Sequence, residues 1–318
     1  MKKNILINDG ISSAGEKKLI DYKFNIFNQH IEQKELINFI NQNNISVLLV
    51  RSVTKVRKNI IDSCTSLKII GRGGVGMDNI DVEYAQKKGI HVINTPNASS
   101  SSVAELVFAH LFSMARYTYH SNRTMPLEGD TNFKELKKQY SKGIELRNKT
   151  IGIIGFGKIG QEVAKIGLGL GMSITFYDPY ITEKTIKINI ANQSIKIKLE
   201  KLELTKLFIQ SDIITIHVPK QKNPLITNKE FQKMKKGVFI INTSRGGIIN
   251  EKDLINNLNN KHVQSAGLDV YEDEPNPKIE VLMHNNIALS PHIGASTIEA
   301  QKRIGLELAE QINQIFNG

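Results

Sequence analysis

Short runs of apolar residues recur along this chain, and segments of helical spacing lie between them. The runs include NILIN, VLLVR, LKIIG, HVINT, TIGIIG, SITFYD, DIITIHV, GVFIINT, SAGLDV and IALSP. Several are apolar almost throughout instead of alternating, which is the pattern of strands covered on both faces. The intervening segments, such as KELINFINQNN, DVEYAQKKG, KIGQEVAKIGLGLG, NKEFQKMKKG and EKDLINNLNN, read as helices. Strand, helix and strand in repeated succession predict parallel pairing in a doubly wound α/β architecture. A length of 318 residues suggests two domains.

Two longer helices stand out. One begins in SSSSVAELVFAHLFSMARYTYH, where Ser102 and Glu105 fit a capping box. The other closes the chain in STIEAQKRIGLELAEQINQIF, with Ser296 or Thr297 as the expected cap. The region 122–148 shows no clear strand and reads as an arm or long connection.

The formal charge of +11 raises the question of nucleic acid. Lysine is spread along the whole chain, however, no basic segment is interleaved with aromatics, and tryptophan is absent. No nucleic-acid partner is expected; a general attraction for small anions fits better. No apolar run approaches the roughly 18 residues that span a bilayer, so no membrane partner is expected. The start, MKKNILINDG, is too short in apolar residues for a signal peptide and reads as a first strand. The single Cys64 excludes an internal disulfide and a cysteine zinc site, and it agrees with a cytoplasmic setting. No metal site is expected.

Two stretches fit the dinucleotide pattern G-x-G-x-x-G: GRGGVG (71–76) and GFGKIG (155–160). Both follow an apolar run and precede a helical segment. A dinucleotide fold also needs an acid at the end of the next strand to accept the ribose hydroxyls. After the first loop that strand ends HVINTPN, with no acid; after the second it ends SITFYDP, with Asp178 in place. Gly155, Gly157 and Gly160 are therefore read as the cofactor loop. The carboxylate at 178 repels a 2′-phosphate and favours NAD over NADP. The first loop offers Arg72 beside flexible glycines, and Arg51 ends an earlier strand. Both could take an anion by bidentate contacts, or both could be surface arginines at turns.

Proton transfer near neutral pH favours histidine. Of the eight histidines, His292 in ALSPHIGAST lies just past a strand, in a loop entering the last helix. His217, in TIHVP, occupies a similar strand end and competes with it. An orienting carboxylate could come from Asp269, Glu272, Asp273 or Glu274 in GLDVYEDEPNP; Glu274 is set apart only by Pro275. Arg245, in INTSRGGIIN, follows a buried strand where a cation can meet a substrate carboxylate.

These segments together resemble the D-isomer-specific 2-hydroxyacid dehydrogenases. The likeness is carried in order by VRSVTKV, IGRGGVGMDNID, INTPNASSSSVAEL, GIIGFGKIGQEVA, YDPY, DIITIHVP, INTSRGGIIN, GLDVYEDEP and SPHIGAST. It is strongest toward the branch that oxidises phosphoglycerate. The resemblance implies a Rossmann-type NAD domain (99–292), with a dimerisation arm at about 120–148. It also implies a discontinuous flavodoxin-like substrate domain (1–98 and 293–318), with a cleft between the two. Arg245 would bind the substrate's carboxylate and carbonyl oxygen, His292 would be the acid/base, and Glu274 would hydrogen-bond His292. Asp178 would hold the adenosine ribose, and Lys158 and Ile159 would sit at the pyrophosphate. His217, Val218, Pro219, Thr243, Ser244, Asp269, Gly294 and Ala295 would line the rest of the NAD site. Arg51 and Arg72, with Gly73 and Gly74, would face the substrate anion. The partners implied are a small anionic 2-hydroxy acid and a second copy in a homodimer.

Two departures from the family stand out. The loop KQKNPLITN after HVP is shorter and more basic than usual, and the segment 182–206 is longer and lysine-rich. Many members of the phosphoglycerate branch carry a further serine-binding regulatory domain. The chain ends directly after its closing helix, so feedback through such a domain is not expected. The alternatives are another 2-hydroxyacid dehydrogenase, such as a hydroxypyruvate or glyoxylate reductase, and an NAD-sensing scaffold or corepressor.

Overall fold

The computed structural model describes residues 2–317. Met1 and Gly318, the outermost residues of the expected substrate domain, lie outside the described residues. The chain divides into two compact units, Met1–Ser102 with Ala295–Gly318, and Val103–Gly294.

In the first unit, β1 (Asn4–Ile7), β2 (Asn25–Asn28), β3 (Ile45–Val50), β4 (Ile69–Arg72) and β5 (His91–Asn94) form one sheet. Its order is β2-β1-β3-β4-β5 and every pair is parallel. This is the flavodoxin-like order. The connections carry α1 (Ser13–Asp21), α2 (Leu36–Gln42), α3 (Lys58–Ser63) and α4 (Val82–Lys87). Alternate strand residues serve opposite faces, and both faces are buried. Leu6, Leu48, Val50 and Ile70 pack on one side. Ile5, Ile7, Val47, Leu49 and Ile69 pack on the other, against Ile304, Leu308 and Ile312 of the closing helix. The missed strand β2, NIFN, is an edge strand with asparagine at both ends, and none of its residues is fully buried.

The second unit begins within α5 (Ser100–Ala115) and continues through α6 (Thr118–Glu128) and α7 (Phe133–Gln139). Its sheet takes β6 (Thr150–Ile154), β7 (Ser173–Tyr177), β10 (Ile213–Ile216), β11 (Val238–Asn242), β12 (Val263–Leu268) and β13 (Ile287–Leu289). The order is β13-β12-β11-β10-β6-β7, again parallel throughout. The helices of this sheet are α8 (Lys158–Gly169), α9 (Leu204–Gln210), α10 (Asn228–Phe231), α11 (Glu251–Asn259) and α12 (Ile279–Leu282). Ile154, Ile214, Ile216 and Ile240 bury one face, while Ile151, Ile153, Ile213 and Ile241 bury the other. That double burial is why these strands read as continuous apolar runs.

The lysine-rich segment after β7 is an antiparallel hairpin, β8 (Glu183–Ile190) and β9 (Gln193–Glu200). It lies at the edge where a Rossmann sheet usually places its third strand. Its chain joins β7 through a single bridge between Phe176 and Lys201. Ile186 is buried against the sheet's core, with Ile188 and Leu199 packed beside it.

The predicted capping box at Ser102 is not made. The helix starts at Ser100, and the Ser102 hydroxyl instead pairs with Thr297 Oγ1 at 2.8 Å. Ser100 Oγ donates to Asn97 O (2.8 Å) and tightens the turn before the helix. Thr297 does cap the closing helix α13 (Ile298–Asn317), accepting from Ala300 N at 3.1 Å. Among the described residues no helix is long and apolar enough to cross a membrane.

Helices α1 and α13 meet backbone to backbone. A Cβ added at Gly15 would stand 2.5 Å from Gly305 Cα, closer than any relaxed contact allows. Gly15→Ala should therefore lower the stability by about 1–3 kcal/mol, despite alanine's better helix propensity. Urea unfolding checks this, and an unchanged midpoint would show that the two helices part at no cost.

Candidate active site

In the second unit the chain reverses direction across the sheet between β6 and β10. From β6 it moves out to β7, then returns to β10 on the other side of β6. Open α/β sheets bind ligands at the carboxyl ends of strands at such a switch point. Gly155, Phe156 and Gly157 follow β6, while His217, Val218 and Pro219 follow β10. Gly155 has φ +91°, and a Cβ there would collide with the His217 carbonyl, so the two strand ends are in backbone contact. Gly157 is the N-cap of α8, and no side chain caps that helix. A Cβ on Gly157 would meet nothing within 4 Å. Uncapped N–H groups at Lys158 and Ile159 thus begin a 12-residue helix beside open space. Such an arrangement favours an anionic group by hydrogen bonding and by the helix dipole. Gly160 packs so closely on the Gly155 carbonyl that a side chain there would clash.

Asp178 follows β7 and is 8% exposed. Its Oδ2 accepts from Phe156 N (2.8 Å), and its Oδ1 accepts from Tyr180 N (2.8 Å) and Ile181 N (3.1 Å). The acid therefore ties the glycine loop to the end of β7. Underneath, the Phe156 and Phe176 rings stack with centroids 3.9 Å apart.

The two candidate histidines differ in their surroundings. His217 Nε2 pairs with Thr215 Oγ1 at 2.9 Å, and its Nδ1 is buried without a partner. Burial pushes its pKa down to about 3. Only on the order of one ring in 10⁴ would be protonated at pH 7, so His217 is unsuited to carrying a proton. His292 Nδ1 pairs with Glu274 Oε2 at 2.8 Å. Glu274 also accepts from Tyr271 N (2.9 Å) through Oε1. Burial alone would raise the Glu274 pKa. The hydrogen bonds from His292 and Tyr271 and the charges of His292 and Arg245 outweigh it and hold the carboxyl below its usual range.

His292 sits in the left-handed region, φ +55°, which costs an ordinary residue on the order of 1 kcal/mol. Asp269 holds that turn. Its Oδ1 accepts from Ile293 N (2.8 Å) and its Oδ2 from Gly294 N (2.9 Å). At 1% exposure, its carboxylate faces the protein. Glu272 and Asp273 serve elsewhere. Glu272 exchanges backbone-to-carboxylate bonds with Glu251 (2.9 and 2.7 Å), and both Glu272 and Asp273 pair with Lys278. Of the four acids in the loop, geometry thus leaves Glu274 for His292.

Arg245 is positioned by Asn242 at the end of β11. Asn242 Oδ1 accepts from Ser244 N (3.0 Å) and Ser244 Oγ (2.7 Å), and its Nδ2 donates to Arg245 O (2.9 Å). Arg245 Nη1 donates to Ser244 O at 2.6 Å. The neighbouring Thr243 Oγ1 is buried without a partner. The orphaned atoms of Thr243 and His217, the uncapped helix and the space at Gly157 fit a dinucleotide cofactor.

The first unit has its own switch point, between β1 and β3. Asp9, after β1, accepts from Arg51 N (2.7 Å) and Thr54 N (3.1 Å) and so holds the chain after β3. Arg72 ends β4. Gly73 N donates to Val50 O (2.9 Å), and a Cβ on Gly73 would lie 3.6 Å from Arg51 Cγ. Gly74 lies under the Arg72 guanidinium. Arg51, Arg72, Gly73 and Gly74 thus gather at the carboxyl ends of β3 and β4. Ala295, where the chain re-enters this unit, accepts from Gln301 Nε2 at 2.8 Å.

Residues 108–294 match the family described as D-isomer specific 2-hydroxyacid dehydrogenase, NAD binding domain. The chain belongs to the D-isomer-specific 2-hydroxyacid dehydrogenases. Within this dehydrogenase family the matched span is the NAD-binding part, and the cofactor is NAD. A hydroxypyruvate reductase of Thermotoga maritima is 42% identical over 313 residues, covering 96% of each chain. A D-3-phosphoglycerate dehydrogenase of Bacillus subtilis is 37% identical over 317 residues, covering 99% of this chain and 57% of that protein. This chain therefore spans little more than half the length of the second relative. A glyoxylate reductase structure from Paecilomyes thermophila superposes with a TM-score of 0.83 at 27% identity, covering 100% of this chain and 96% of that one.

Asn242, Tyr271 and Ser290 were not singled out by sequence. Tyr271 Oη donates to Ser290 O (2.8 Å) and braces the His292 loop from below. The only sequence signal for these residues is a polar group closing or following an apolar strand.

His217 is kept neutral by the fold, with a pKa of about 3, whereas in the unfolded chain it titrates near 6.5. Unfolded chains therefore take up a proton that the folded one refuses. The stabilisation is complete above about pH 6.5 and is lost as pH falls toward 3, by at most about 1.4 kcal/mol per pH unit. His110, whose pKa is also lowered by burial, adds to the same trend. Between pH 6.5 and 5, urea midpoints should fall, and His217→Asn should flatten that fall without abolishing it.

Proposed function

We propose that this chain oxidises D-3-phosphoglycerate to 3-phosphohydroxypyruvate with NAD, the entry reaction of serine biosynthesis. The observation that carries the dehydrogenase chemistry is the His292–Glu274 pair at 2.8 Å. His292 Nε2 would take the proton of the substrate's C2 hydroxyl. Glu274 would orient the ring and stabilise the imidazolium as it forms. Arg245 would bind the substrate carboxylate and polarise the oxygen at C2, offsetting the developing charge. NAD, when bound, supplies the acceptor for the hydride leaving C2. Its pyrophosphate would lie at Gly155, Gly157, Lys158, Ile159 and Gly160, and its adenosine ribose at Asp178. Val218, Pro219, Thr243, Ser244, Gly294 and Ala295 would flank the remainder, with Asp269 supporting Gly294 from inside.

The phosphorylated substrate is supported by Arg51 and Arg72, gathered at the switch point of the first unit. The long match to the Thermotoga maritima protein favours a second reading, reduction of unphosphorylated hydroxypyruvate. The lone Cys64 is buried, and its thiol is pushed up to about 11 by that burial, which suits a reducing cytosol. A steady-state assay with NAD separates the readings. Phosphoglycerate should be oxidised, and Arg72→Ala and Arg51→Ala should raise KM for it far more than for glycerate. Equal activity on glycerate and phosphoglycerate would leave the reductase reading. Loss of His292 should lower turnover by about 10²- to 10⁴-fold with NAD affinity retained. No activity on any 2-hydroxy acid would leave an NAD-binding scaffold.

The arm at 120–148 is proposed as a homodimer contact. No residue of α6 is buried, and Met125, Leu127 and Phe133 are 42%, 78% and 58% exposed. Exposed apolar residues concentrated in one segment mark an interaction surface. Sedimentation of the wild type should give a dimer, and Leu127→Asp with Phe133→Asp should shift it toward monomer.

A further inference from the structure

Beneath the His292 loop Asp269 is the end of a buried polar chain whose side-chain partners, Ser290 and His110, have no role above. Ser290 Oγ donates to Asp269 Oδ1 at 2.6 Å and meets His110 Nε2 at 2.8 Å. Asp269, His110 and Ser290 are 1%, 6% and 9% exposed. Serine, histidine and aspartate also make up a hydrolytic triad, but the contacts here run in the wrong order. In a triad the histidine stands between the other two and draws the serine proton. Here serine stands in the middle and its one proton is committed to Asp269. Ser290 can therefore only accept from His110, which makes His110 an Nε2–H donor.

The chain leads to the catalytic loop. Asp269 accepts from the amides of Ile293 and Gly294, the two residues that follow the left-handed His292. A misdirected carboxylate would release both amides together. The fold makes room for this donor in particular. A Cβ on Gly267 of β12 would lie 2.9 Å from His110 Cβ, so α5 and β12 approach closely only because residue 267 is glycine. Burial lowers the His110 pKa against the opposing charge of Asp269, which keeps the ring a neutral donor.

We propose that His110 and Ser290 are positioning residues: His110, through Ser290, aims the Asp269 carboxylate that holds the backbone of the His292 loop. This rests on His292 being the acid/base. The test compares His110→Leu, which removes the donor at similar volume, with His110→Gln, which keeps an N–H of matching reach. Ser290→Ala and the double variant His110→Leu/Ser290→Ala complete the set. His110→Leu and Ser290→Ala should each lower kcat by about 10-fold while KM and NAD affinity stay within about two-fold, since small misplacements of a catalytic group act on the chemical step. The double variant should be no slower than the slower single variant, and His110→Gln should recover most of the loss.

Wild-type kcat in His110→Leu would overturn the proposal. So would His110→Gln as slow as His110→Leu, which marks packing alone, or losses that multiply in the double variant. Should His110→Leu not fold, Ser290→Ala against Ser290→Thr, which keeps the hydroxyl, makes the same comparison. His292→Ala in the same assay separates the two readings. Full turnover there would refute the acid/base assignment itself, whereas an inactive His292→Ala beside a normal His110→Leu would refute only the relay.

Discussion

A single buried carboxylate organises the carboxyl end of the second sheet. Asp269 extends β12, is bonded to the end of β11 through its own amide and Asn242 O (3.0 Å), and accepts from Ser290, Ile293 and Gly294. A buried charge is costly unless its lone pairs are filled, and here every donor that fills them belongs to the segment after β13. The cost of burying the acid and the cost of the left-handed His292 are thus met by the same bonds. Removing the acid would free the loop and also strand three donors in the interior. The arrangement places an exposed histidine on backbone fixed by hydrogen bonds, the condition that positioned acid/base catalysis requires.

The fold was legible wherever burial on both faces wrote itself as an uninterrupted apolar run, as in DIITIHV and GVFIINT. It was least legible at the edges. Strand β2 has polar ends and no fully buried residue. The hairpin β8–β9 was present in the sequence as strict alternation, IKINI and IKIKL, with one face carrying Ile186, Ile188, Ile195 and Ile197. The abundance of lysine hid that period. Ser102 shows how far spacing can lead. The box pattern was correct in composition, but the hydroxyl found a partner 195 positions away.

The candidate site divides in the same way. Local signals marked the glycine loop, Asp178, Arg245 and His292, because each stands where a strand ends. Which of the four loop acids faces His292 could not be read from order along the chain, since Glu272 and Asp273 are drawn aside by Lys278. His110 was invisible for a different reason. It lies mid-helix among apolar residues, and its partner Ser290 is 180 positions distant. Long-range hydrogen bonds leave no periodicity, so only folding reveals them.

The hairpin has a consequence for solubility. Strand β7 would otherwise present its backbone N–H and C=O groups along an open margin of the sheet, ready to pair with another chain. The chain leaving the hairpin bridges that margin once, at Phe176 and Lys201, and Lys187, Lys196 and Lys198 stand on the hairpin face opposite the isoleucines. That face is of mixed charge, with Lys198 paired to Glu183 at 2.7 Å and to Glu200 at 3.6 Å, so a strand approaching from solvent would meet charged side chains on a short ribbon instead of a flat apolar border. The lysine-rich segment thus forms a charged ribbon at the sheet's edge, a feature of the kind that discourages neighbouring molecules from stacking onto a sheet.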